Sequence, residues 1–268
     1  MNVGKFKMLY ESEYILDHCV VYDEATKKWH MFGIHGDQKS FIHLTSDTLT
    51  GTNWKREEDF TYNDGSLEIW APHIIRNDNK YWMFYTVVGN PRQIVLSVSE
   101  DLYNWQHYSN NPVLARKTAD GHDGKNKDCM LFEHNGEWLM YHSMVQKFER
   151  GAEYWCVGCS KSTDLLSWSE PMVVFDENQP GDPGVESPFV IKRNDAYYLF
   201  LSAVPWPAGG VNVYKSKNPF CWRNEDFLYR NNAIAIEVVK DLDGRWYMTN
   251  CGRENGGWLI APIDWEED

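Results

Sequence analysis

The sequence predicts an all-β fold, and three observations carry that expectation. Short runs of alternating aromatic and β-branched residues recur from end to end, polar turn pairs such as Asn135-Gly136 and Asp243-Gly244 separate them, and no segment sustains a helical period. Asn-Gly and Asp-Gly favour tight hairpins because both central turn positions prefer positive φ, so successive runs pair as antiparallel strands.

The runs repeat with a period of about 55 residues, within the range of repeat architectures. The first unit reads Asp17 to Tyr22, Lys28 to Phe32, Phe41 to Ser46 and closes at Trp54. The second reads Ala71 to Ile75, Lys80 to Tyr85, Ile94 to Ser99 and closes at Trp105. The third holds Asp128 to Phe132, Glu137 to Tyr141, Trp155 to Ser160 and Trp168. The fourth holds Glu186 to Ile191, Tyr197 to Leu201, Val211 to Tyr214 and Trp222. The fifth holds Ile236 to Val239, Arg245 to Thr249, Gly257 to Ile260 and Trp265. Five such units fill the 268 residues. Radial repetition of four-stranded sheets leaves few exposed edges, so residues 1–268 are expected to form a single five-bladed β-propeller. Ser99-Glu100-Asp101-Leu102 before Trp105, and Ser162-Thr163-Asp164-Leu165 before Trp168, read as architecture. The Asp caps the turn, and the Trp packs between blades.

Composition narrows the partners. Asp and Glu outnumber Lys and Arg by 39 to 26, a formal charge of −13 that repels phosphate backbones and anionic lipids, so nucleic acid and membrane surfaces are not expected. No apolar stretch approaches a membrane span, and the segment from Met1 to Tyr10 lacks a signal-peptide core, which points to a cytoplasmic protein. The six cysteines sit in apolar runs and read as reduced core residues. Cys156 and Cys159 have redox or zinc spacing, but they share a strand-like run and no second pair exists.

In a propeller the innermost strand of each blade lines the central channel, so equivalent strand heads converge. Those heads are Asp17, Ala71, Asp128, Glu186 and, in the fifth unit, Ile236 or Glu237. Carboxylates at the heads of apolar strands are costly to bury unless paired or employed. Asp17, Asp128 and Glu186 therefore form a candidate catalytic trio. Glycoside hydrolysis needs one protonated and one ionised carboxyl flanking the scissile bond, and a third acid nearby raises the pKa of the proton donor.

The repeat, the Ser-x-Asp-Leu-x-x-Trp endings and these strand heads resemble the five-bladed propellers of glycoside hydrolase families 43 and 32. The resemblance to family 43 implies Asp17 as general base, Asp128 as pKa tuner and Glu186, in Glu186-Ser187-Pro188, as general acid. Ala71-Pro72 likewise resembles the Ala-Pro that commonly opens blade two. His18 stands where family 43 usually has Pro, and Lys127 and Cys129 flank Asp128 where family 32 has Arg-Asp-Pro. The Asn-Asp-Pro-Asn-Gly of family 32 and its appended sandwich are missing. Inversion with Asp17 as base is thus expected over retention with Asp17 as nucleophile.

Trp70 and Trp206 are candidates to stack on a sugar, His73 and His142 to bond its hydroxyls, and Arg253 to add a polar contact at the mouth. His35 and His122 are further candidates of the same kind. Some family 43 propellers hold an axial calcium with help from a fifth-blade His, which the fifth strand here lacks, so no metal or cofactor is expected. The expected partner is a small oligosaccharide such as an arabinofuranoside or xyloside. A glycoside phosphorylase would want an Arg or His cluster, whereas only Arg92, Arg116, Lys127 and Arg253 are scattered near the strand heads. A non-catalytic carbohydrate-binding propeller would lack one of the three acids.

Overall fold

The computed structural model describes residues 1–11, 14–89, 91–115, 125–147, 153–176, 184–203, 210–252 and 256–265. Five antiparallel sheets follow one another along the chain, each a meander from an inner to an outer strand. Blade one comprises Ile15–Asp23, Lys28–His35 and Ser40–Ser46, with Lys55–Arg56 and Phe60–Thr61 both on its outer edge. Blade two comprises Ile69–Asn77, Lys80–Val87, Gln93–Ser99 and Trp105–His107. Blade three comprises Lys127–His134, Glu137–Lys147, Glu153–Ser162 and Met172–Phe175. Blade four comprises Val185–Arg193, Ala196–Ala203, Val211–Ser216 and Phe227–Asn231. Among the described residues the only helical element is a 3₁₀ turn, Asn224–Asp226.

Blade five is completed from elsewhere in the chain. Its own strands are Glu237–Lys240, Trp246–Gly252 and Gly257–Asp264, and the outer one pairs with Asn2–Val3 and Lys7–Glu11. The register sets Asn2 opposite Asp264 and Lys7 opposite Ile260. The edge of the last sheet is thereby covered. Inner strands touch in the cyclic order one, two, three, four, five and back to one, so the sheets form a five-bladed propeller.

The core lies in the seams between blades. In four seams the closing Trp packs on the preceding blade, Trp105 on Phe32, Trp168 on Phe84, Trp265 on Tyr198 and Trp54 on Trp258, all edge to face, whereas blades three and four meet through Phe132 on Tyr197 and Phe175 on Tyr214. Edge-to-face pairs add stabilisation beyond the area they bury. The Ser-x-Asp-Leu segments act as the sequence anticipates. Asp101 Oδ1 accepts the backbone N–H groups of Tyr103 and Asn104 at 2.9 and 2.7 Å, and Asp164 Oδ1 accepts those of Leu166 and Ser167 at 2.9 and 2.7 Å. Leu102 and Leu165 both take φ of 65°, and the following Trp donates its indole N–H back to their carbonyls. No disulfide joins the six cysteines, and Cys156 and Cys159 lie within one strand of blade three.

Candidate active site

The inner strands of the first four blades each carry a β-bulge near their head. The pairing with the second strand shifts between Leu16 and His18, Trp70 and His73, Lys127 and Met130, and Glu186 and Phe189. Ala71, Asp128 and Ser187 occupy the last three of these bulges with φ of 47°, 55° and 48°, and Ala235 matches them at 44° before the inner strand of blade five. Asp tolerates this left-handed region better than most residues, whereas Ala and Ser are held there by their surroundings. In blade one the bulge at Asp17 faces Gly33, where an added Cβ would lie 2.7 Å from Ile15 Cγ2.

The bulges correct the alignment of the blades read from sequence. The strand heads equate Asp128 with Glu186. The register instead equates Asp128 with Ser187, and Lys127 with Glu186 and Trp70. Adjacent residues on a regular strand point to opposite faces, but the extra residue in a bulge breaks that alternation. Lys127 and Asp128 can therefore meet at the same mouth, as can Glu186 and Ser187.

The three acids are linked through their neighbours. Ser187 donates its hydroxyl to Asp17 Oδ1 at 2.5 Å and its backbone N–H to Asp128 Oδ2 at 3.3 Å. Lys127 Nζ lies 2.8 Å from Asp128 Oδ2 and 3.2 Å from Glu186 Oε1. The backbone N–H of Asp128 is satisfied by Thr86 Oγ1 of blade two. Asp128 is 5 % exposed, whereas Asp17 and Glu186 are half-buried, so these two carboxyls open toward a ligand.

Electrostatics separates the groups further. Burial, then the charge of Asp128, raises the Asp17 carboxyl to about 7, Glu186 adding to the rise while Ser187 and Lys127 oppose it. Burial alone would lower Lys127, but the carboxylates of Asp128 and Glu186 more than offset this, and the ammonium is held above its ordinary value. Beneath the acids a cavity of about 30 Å³ follows the axis, lined among others by Asp17, His18, His73, Asp128 and Glu237. Burial lowers His18 to about 3, so it is a neutral ring, with Nε2 2.6 Å from Thr249 Oγ1.

The other candidates occupy different depths. Trp70 is half-buried at the position matching Lys127 and Glu186, with the Arg92 guanidinium 4.8 Å over its ring. His73 sits lower, its Nδ1 3.4 Å from Glu237 Oε1, and the other oxygen of Glu237 accepts the N–H of Val20 at 2.9 Å. His142 has no exposed surface and lies in the second strand of blade three, behind the Asp128 bulge. His35 is half-buried beside Asp37, its Nδ1 3.3 Å from Asp37 Oδ1. Trp206, Arg253, His122 and Arg116 lie outside the described residues. Among the described residues no three His, Cys, Asp or Glu side chains converge as a metal-ligand set. The sequence does not single out Ser187 and Thr86 as partners of the acids, nor His73 as the partner of Glu237. The only signals for them were adjacency to Glu186 and a strand-head position.

The model of the glycosyl hydrolases family 43 matches residues 42–220. The chain belongs to this family. It is a glycoside hydrolase. The family-43 chain is 21% identical over 266 residues to the "Extracellular exo-alpha-(1->5)-L-arabinofuranosidase ArbA" of Cellvibrio japonicus, an alignment covering 91% of this chain and 70% of that one. Its fold matches an endo-arabinase from Bacteroides thetaiotaomicron with a TM-score of 0.74 at 16% identity, covering 97% of this chain and 99% of that one. It also matches a family 32 β-fructofuranosidase from Bombyx mori with a TM-score of 0.69 at 15% identity, covering 97% of this chain but 61% of the other.

Proposed function

We propose that this family-43 hydrolase cleaves α-1,5-linked L-arabinofuranosyl units from arabinan-type oligosaccharides. Asp17 serves as general base, Glu186 as general acid, and Asp128 organises the pair. The observation that carries the reading is the single network joining the three acids through Ser187 and Lys127. The substrate class rests on the activity named for the Cellvibrio japonicus relative.

In this reading Glu186, half-buried at the mouth, gives a proton to the departing glycosidic oxygen. Asp17, held by the Ser187 hydroxyl, removes a proton from the water that attacks the anomeric carbon from the opposite face. Asp17 accepts that proton only when ionised. With its carboxyl raised to about 7, one limb of the kcat/KM profile is expected near pH 7. Asp128 stays ion-paired with Lys127 and, through the Ser187 N–H, fixes the hydroxyl that orients Asp17.

The test is turnover of α-1,5-arabinotriose by the wild type, Asp17→Asn and Glu186→Gln, with the anomer of the first product followed by NMR. The expected result is loss of turnover in both variants and an inverted product. Undiminished turnover in either variant removes that residue from the mechanism. A retained configuration makes Asp17 the nucleophile.

A further inference from the structure

The trio contains more negative charge than a buried site readily tolerates. Two carboxylates within hydrogen-bond reach of shared partners resist joint ionisation, because each raises the proton affinity of the other. Here three converge, and the charged groups facing them include one ammonium, Lys127, from the same bulge as Asp128. The Lys127 side chain is 8 % exposed, its Nζ reaches Asp128 in its own strand and Glu186 in blade four, and Asp17 of blade one faces it as a third charge. The ammonium also lies 5.2 Å over the Trp155 ring of the same blade.

Sequence pattern alone offers no reason for a cation here. The matching positions hold Trp70 in blade two and Glu186 in blade four, so the bulge site does not require a Lys for the fold. A buried ammonium that forms two carboxylate contacts carries a desolvation cost, which suits a role in the chemistry rather than in packing.

We propose that Lys127 is the positioning residue that sets the charge state of the trio: its ammonium ties Asp128 to Glu186 and fixes the pH window in which the enzyme turns over. This rests on the assignment of Asp17 and Glu186 made above. The ammonium opposes the rise of the Asp17 carboxyl and lies 3.2 Å from Glu186 Oε1, so it favours the charged forms of the acids around it. Removing the charge while keeping the volume moves both limbs of the kcat/KM profile to higher pH.

The experiment compares pH profiles of kcat/KM on α-1,5-arabinotriose for the wild type, K127M and K127R. K127M is expected to shift both limbs upward by about one pH unit, the lower end of the effect of a close opposite charge. K127R keeps the charge and is expected to leave the limbs in place even where kcat falls. If K127M does not fold, K127Q keeps the length and polarity without the charge and carries the same expectation. A folded neutral variant with unmoved limbs overturns the proposal, and so does a K127R shift as large as that of the neutral variant. If Asp17→Asn and Glu186→Gln are inactive while the neutral variant keeps the wild-type limbs, only the role of Lys127 falls. If those two variants remain active, the underlying assignment falls first.

Discussion

Replacing Asp17 by Asn is expected to make the protein more stable at neutral and alkaline pH while abolishing turnover. The fold raises the Asp17 carboxyl from 3.8 to about 7, first by burial and then through Asp128. Between those values the unfolded chain has released the proton that the folded chain still holds, so stability falls as pH rises from about 4 to about 7. Above 7 the whole penalty is present. At about 1.4 kcal/mol per pH unit the rise corresponds to an upper bound of about 4 kcal/mol, and relaxation around the site brings the expected gain to about 2–4 kcal/mol. Asn keeps an oxygen to accept the Ser187 hydroxyl, which now bonds Asp17 at 2.5 Å, so the substitution removes the charge and spares the contact. Urea unfolding followed by tryptophan fluorescence, at pH of about 4.5, 6 and 8, measures the difference between variant and wild type. The gain should be near zero at the lowest pH and largest at the highest. A gain that is the same at all three, or a loss at the highest, refutes the electrostatic account.

Two further substitutions probe what supports the site. Gly184 precedes the strand carrying Glu186 with φ of +115°, and an added Cβ would lie 2.7 Å from Trp155 Cδ1; Gly184→Ala is expected to cost roughly 1–3 kcal/mol. Because Trp155 also carries Lys127, kcat should fall on the order of tenfold or more, and a variant with wild-type kcat would show that this contact does not position the acids. Deleting residues 1–11 uncovers the outer strand of blade five and removes Leu9, now 3% accessible, from the cluster it shares with Trp258 and Ile260. A stability loss of about 2–4 kcal/mol and association by light scattering are expected, and an unchanged urea midpoint would show that these strands add nothing.

The propeller was legible because its determinants are local. Hairpin turns, alternating runs and closing tryptophans recur at one period, and the seams use the rings where the repeat puts them. The meeting of Asp17, Asp128 and Glu186 was legible for the same reason, since each starts an apolar run. Their exact placement was not. A bulge needs one extra residue and a left-handed φ, and Ala71 and Ser187 carry no compositional mark of either. Strict alternation would send Lys127 and Asp128 to opposite faces, so their 2.8 Å contact was hidden until the bulge appeared. The strands Asn2–Val3 and Lys7–Glu11 also escaped notice, because they belong to none of the five units and find their partner more than 240 residues away, at Gly257–Asp264.

That long-range pairing gives the molecule a clasp. As the polypeptide leaves the ribosome, blades one to four can form in turn, but the ring stays open until Gly257–Asp264 emerges and meets the strands Asn2–Val3 and Lys7–Glu11, which precede blade one. Closure is then a late step with a large loop-entropy cost, paid once. Once fastened, the same contact ties the blades on either side of the gap, and opening the toroid requires stripping that seam before any inner strand can leave the channel.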